Sequence, residues 1–130
     1  MPEFSFPATE RLKSKKQIQY IFAKGKSLKR FPLRLLYLTD PEDRDPSAIK
    51  VTMAVSGKKI SNATDRNRIK RWIRESYRTQ IKELKNFLEE SGIRVHAVFI
   101  YLPDKLTSFE DVRRAVLELL NELKEKLGEN

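Results

Sequence analysis

Between Asn62 and Arg78 the chain reads Asn-Ala-Thr-Asp-Arg-Asn-Arg-Ile-Lys-Arg-Trp-Ile-Arg-Glu-Ser-Tyr-Arg, and the chemistry it offers is that of fixed cations. From Arg66 to Arg78 there are six arginines or lysines and one acid, Glu75. A guanidinium presents a planar fork of N–H donors that matches phosphate oxygens, and it keeps its charge at physiological pH. Wound as a helix at about 100° per residue, Asn67, Arg68, Arg71, Arg74 and Arg78 fall along one face, with Arg66 and Lys70 on its flank. Like charges at these spacings destabilise an isolated helix by a few tenths of a kcal/mol per pair. An ordinary solvated face relieves that cost by mixing signs; a face of one sign is relieved by a polyanion.

Catalytic chemistry is sparsely supplied. The single histidine, His96, sits mid-run among apolar residues, where a hydrogen-bonded structural place is expected. Asp65 reads as a charge at the helix start, and Glu75 as a partner for Arg71 and Arg78 at i−4 and i+3. There is no cysteine, no Gly-rich phosphate loop and no metal-ligand spacing. No catalytic residue and no metal or cofactor site is therefore expected on the protein alone.

The cation row needs a rigid mount. The same winding puts Ile69, Trp72, Ile73 and Tyr77 on the opposite face, with full burial expected there, and Ile81, Leu84 and Leu88 extend the stripe if the helix runs on. Asn62 is the expected N-cap, Asp65 follows three residues on, and Gly92 is the stop. Upstream, Phe4, Phe6 and Pro7 predict an extended opening. Ser14 with Gln17 makes a capping box, Ile18, Ile21 and Phe22 give the next apolar face, and Gly25 ends that short helix. Leu33 to Thr39 reads as a strand, apolar on both faces except at Arg34. Ala48 to Val55 alternates as a half-buried strand, and pairing across the loop between would make an antiparallel hairpin. Arg94 to Leu102 predicts a buried strand. Thr107 with Glu110, or Ser108 with Asp111, caps a closing helix striped by Val112, Val116, Leu119, Leu120, Leu123 and Leu127. The order helix, strand, strand, helix, strand, helix means an α+β fold with a small central sheet.

The 130 residues suit a single nucleic-acid-binding domain, residues 1–130, with formal charge +9. Residues 11–34 hold nine basic side chains and no acid, whereas from Asp104 onward there are seven acids and five bases. With no cysteine and no run of 18 apolar residues, a soluble, cytoplasmic protein with no membrane association is expected.

At Arg66-Asn67-Arg68-Ile69-Lys70-Arg71, with Arg74-Glu75 after it and Lys58-Lys59 and Asn62-Ala63 before it, the sequence resembles the protein subunit of bacterial ribonuclease P. The likeness extends over most of the chain, from Phe22-Ala23-Lys24-Gly25-Lys26 through the strands to the closing helix. It implies a ribonucleoprotein endonuclease whose RNA subunit holds the catalytic Mg²⁺ while the protein assists removal of the 5′ leader from precursor tRNA. It also implies a left-handed crossover of the basic helix between parallel strands. Lys58, Lys59, Arg66, Asn67, Arg68, Lys70, Arg71, Arg74 and Arg78 would then face RNA, and Ile18 and Phe22 would line a cleft for the single-stranded leader. The implied partners are the catalytic RNA and precursor tRNA, with no obligate protein partner. The sequence departs from the common pattern at Gly57, where Ser is usual, at Ser61, where Gly is usual, and at Ile18, where an aromatic is common. Two other readings of the cations stay open: a generic, ribosome-associated RNA-binding protein, and a DNA-binding module. Against the second, cations spread along a whole helix suit a backbone better than base edges, and no helix-turn-helix partner precedes Asn62.

Overall fold

The computed structural model describes residues 11–41 and 47–129, so the opening expected at Phe4 to Pro7 lies outside the described residues. The elements are α1 (Lys15–Lys24), β1 (Lys26–Arg30), β2 (Leu33–Thr39), β3 (Ile49–Val55), α2 (Ala63–Gln80), α3 (Lys82–Ser91), β4 (Val95–Tyr101) and α4 (Phe109–Gly128). This is the expected α+β class, with one strand and one helix more than the sequence patterns gave.

Local chemistry explains most boundaries. Ser14 Oγ accepts from the Gln17 amide at 3.2 Å and starts α1. Gly25 ends it without left-handed backbone: a Cβ there would lie 2.5 Å from the Ile21 carbonyl oxygen, so only glycine lets the chain pass straight into β1. Gly92 closes α3 at φ 76°, the left-handed conformation that glycine adopts without steric cost. Of the two caps open for α4, Ser108 takes the role, its Oγ accepting from the Asp111 amide at 3.1 Å. Thr107 instead meets the Tyr101 hydroxyl.

The hairpin that direct pairing of β2 with β3 would have made does not form. Strand order is β1-β2-β4-β3, with β4 antiparallel to β2 (Leu35 opposite Phe99) and parallel to β3 (Met53 beside Phe99). The apolar run of β4 suits a strand covered on both faces, whereas β3, most of whose residues are only partly buried, suits an edge. Joining β3 to β4 in parallel takes a long crossover, which α2 and α3 supply. β1 escaped the sequence patterns because Lys-Ser-Leu-Lys-Arg holds one apolar residue, Leu28; its lysines suit an edge strand that must not pair further.

One sheet face carries the main core. Leu33, Leu35, Ile49, Val51, Phe99 and Tyr101 pack there against Ile69, Ile73 and Tyr77 of α2, Leu84 and Leu88 of α3, and the α4 stripe. Trp72 is a correction: it is half-buried at the margin of that core, and Ser76, fully buried with its hydroxyl donating to the Trp72 carbonyl at 2.7 Å, completes the inner face. The inner face is centred on Ile69, Ile73 and Ser76 at i, i+4 and i+7, which leaves Trp72 at its edge. The basic helix also breaks. Thr79 and Gln80 side chains donate to the Glu75 and Ser76 carbonyls, Ile81 interrupts the run, and α3 starts afresh at Lys82.

Among the described residues, the second face meets only α1 and Leu12. Val98, with Leu36, Leu38, Ala54 and Ile100, packs against Leu12, Ile18 and Ile21. Ten residues of helix do not cover four strands, so open grooves flank α1.

Candidate nucleic-acid interface

The leader into α2 is tied down before any ligand arrives. Ser56 Oγ accepts from the Lys58 and Lys59 amides at 3.2 and 3.4 Å, and Asn62 Oδ1 caps the helix through the Thr64 amide at 2.8 Å. Arg66 is turned inward: Nη1 donates to the Ile60 and Ser61 carbonyls, both at 2.9 Å, clamping the turn to the helix. A Cβ on Gly57 would meet nothing nearer than Arg66 Nη1 at 3.9 Å, so the usual serine would fit and its replacement leaves this turn intact.

The remaining cations divide by what holds them. Lys59 Nζ donates to the Leu102 carbonyl at 2.8 Å, fastening the leader to the exit of β4. Arg78 is paired with Glu75 at 2.8 Å. Lys58, Asn67, Arg68 and Arg71 are exposed, while Lys70 and Arg74 are half-buried beside β3. Arg74 is the electrostatic centre. Burial first, then the Arg11 and Arg71 guanidiniums, hold its guanidinium below the usual arginine value. Two cations thus crowd a third that is already partly withdrawn from water.

Arg11 and Lys13 were not singled out among the sequence-derived contacts. The structure sets both across a groove from Lys70 and Arg74, over Val51 to Met53, with the Leu12 amide donating to the Val51 carbonyl at 2.9 Å. Their signal was the acid-free run from residue 11 to 34, which marked a basic surface without saying where it folds.

Lys70 also lines a second groove, with Phe22, Ala54, Val55, Lys59 and Ile100. Phe22 is 51% exposed and forms a wall of that groove rather than part of the core. Ile18, its partner in the sequence reading, packs on Leu12, Ile21 and Val98 and does not line it. His96 is 3% exposed and borders a third groove, on the other side of α1, with Tyr20 and Leu38. Among the described residues, no group of three or more His, Asp or Glu is placed to hold a metal ion, and no helix is long and apolar enough to cross a membrane.

A ribonuclease P family model matches residues 6–124. The ribonuclease P protein component of Porphyromonas gingivalis is 33% identical over 119 residues, spanning 92% of this chain and 86% of that protein. That of Chlorobium phaeobacteroides is also 33% identical, spanning 88% and 85%. The solved RNase P protein of Thermotoga maritima superposes with a TM-score of 0.62 at 27% identity, over 87% of this chain and 96% of that one. The Staphylococcus aureus protein shares the fold, with a TM-score of 0.64 at 22% identity over 88% and 94%. With the Arg66 to Arg74 motif on a sheet-backed helix and a match over nearly its whole length, the chain belongs to the ribonuclease P protein family.

Proposed function

We propose that the chain docks on the catalytic RNA of ribonuclease P through the outer face of α2 and receives the single-stranded 5′ leader of precursor tRNA in the groove beside Phe22. What carries this reading is the gathering of Arg11, Lys13, Lys70 and Arg74 around one groove with Arg71 close by, an arrangement whose mutual repulsion a phosphate backbone relieves. Arg71, Arg68, Asn67 and Lys58 supply phosphate contacts without reading bases. The neighbouring groove joins an exposed ring, Phe22, to Lys70, the combination that tracks an unpaired strand with little sequence preference.

Leader binding adds affinity that the mature product lacks, so precursor is favoured and product leaves. Bond cleavage is assigned to the RNA. The side chains on this face are mostly ammonium and guanidinium groups, and its Glu75 is taken by Arg78, which does not fit a Mg²⁺ site, so Mg²⁺ belongs to the RNA side and the protein's part is to neutralise crowded phosphates.

Phe22→Ala tests the leader assignment. Loss of one base-ring contact is expected to reduce the preference for precursor over mature tRNA by about tenfold, from about 1–3 kcal/mol of stacking per base. Mature tRNA binding and thermal stability should stay near wild type, because half of the ring is already in water. Equal losses for both RNAs would remove Phe22 from the leader site.

A further inference from the structure

Arg34 is the one charged side chain in the Leu33 to Leu38 run, and its Nε is shielded from solvent yet meets no acceptor among the described residues. Leaving a guanidinium nitrogen dry and unpaired is costly, so this one calls for a partner. Its neighbours show where. Arg34 stands opposite Ile100 on β4 and opposite Lys29 on β1, and Ile100 pairs with Ala54 on β3. Directly opposed residues share a face, so Ala54, Ile100, Arg34 and Lys29 form one row across all four strands on the α1 side. Three strand spacings make that row about 14 Å long.

The inner half of the row, Ala54 and Ile100, is the floor of the groove walled by Phe22 and Lys70. The outer half is basic. On the opposite face Arg30 is engaged by Glu122 at 3.0 Å and by Glu118 at 3.9 Å, whereas among the described residues no carboxylate pairs with Lys29 or Arg34. Leu102 donates its backbone amide to the Pro32 carbonyl at 2.9 Å, which fixes the β1–β2 turn, and with it the 68% exposed Phe31, at the same end of the sheet.

We propose that this row is a distal subsite for single-stranded RNA, in which the strand leaving the Phe22 groove crosses the sheet toward β1 and a backbone phosphate completes Arg34, with Lys29 holding the next. The inference rests on the leader-binding reading and extends it outward by the width of two strands. It makes leader length matter: nucleotides close to the cleavage point reach Phe22, and only a longer leader reaches Arg34.

The test compares precursor tRNAs carrying graded leaders, with mature tRNA as the reference, on holoenzyme reconstituted with wild-type protein, Arg34→Gln or Lys29→Gln. For wild type, affinity should rise again once the leader is long enough to pass the Phe22 groove. Arg34→Gln should abolish that second rise, a loss of about fivefold to tenfold, lower the salt slope by about 0.7, and leave short-leader affinity unchanged. Lys29→Gln, exposed and safe for folding, should give a smaller loss confined to the same long leaders. An unaltered second rise in both variants overturns the subsite, as does a loss in Arg34→Gln that is equal for short leaders and mature tRNA. No preference of wild type for any precursor over mature tRNA would instead overturn the leader reading beneath it, and the subsite with it.

Discussion

Arg71→Gln combined with Arg74→Gln is expected to weaken association with ribonuclease P RNA by on the order of 10²-fold near physiological salt while leaving the fold intact. Arg71 is exposed and Arg74 half-buried, and the two guanidiniums repel one another and Arg11. A hydrogen bond to a charged group contributes about 1.5 to 3 kcal/mol, and two lost at the lower figure already give that factor. The slope of log affinity against log salt should fall by about two phosphates' worth. Removing like charges should also leave thermal stability equal to or slightly above wild type, since each such pair opposes the folded helix. Binding lost together with stability would mean that these arginines brace the helix instead of meeting RNA.

The second large effect is on stability and separates the two aromatic residues of the basic helix. Tyr77→Ala should cost about 3 to 5 kcal/mol, because the ring is 1% exposed and meets Phe99 edge-to-face, with centroids 6.3 Å apart at 76°. Trp72→Ala should cost about 1 to 2 kcal/mol, since the half-buried indole leaves no sealed cavity behind. Urea unfolding of the two variants decides the matter. A Trp72 variant as unstable as the Tyr77 variant would show that Trp72, and not Ser76, lies on the centre of the inner face.

The elements nearest the proposed RNA face were the most legible in the sequence, for a physical reason. Capping and helical periodicity are local, so Ser14, Asn62, Ile69, Ile73, Tyr77 and Gly92 disclosed their places from spacing alone. Strand pairing is not local. Nothing within Leu33 to Thr39 or Ile49 to Val55 records that β4 comes between them, so those two segments alone left a hairpin open. β1 is a strand because β2 offers it an edge, not because Lys-Ser-Leu-Lys-Arg prefers extension.

Within the interface, residue type disclosed charge but not direction. Arg66 and Arg71 look alike in the motif; only the fold shows one bonded to the Ile60 and Ser61 carbonyls and the other facing solvent. Arg11 and Lys13 join the site through the bridge to Val51, a contact spanning forty residues of chain that no spacing rule reaches. Arg34 stood out in the sequence as a polar break in an apolar strand, and its meaning came from the row of residues it shares.

Leader removal from precursor tRNA by the catalytic RNA, measured at a Mg²⁺ concentration too low for the RNA alone, with and without this protein, is the decisive assay. Strong stimulation by wild-type protein, much reduced for Arg71→Gln with Arg74→Gln, is expected, with no cleavage by the protein alone. Absence of stimulation, or leader cleavage without the RNA, would contradict the assignment of this chain as a phosphate-neutralising, leader-holding subunit.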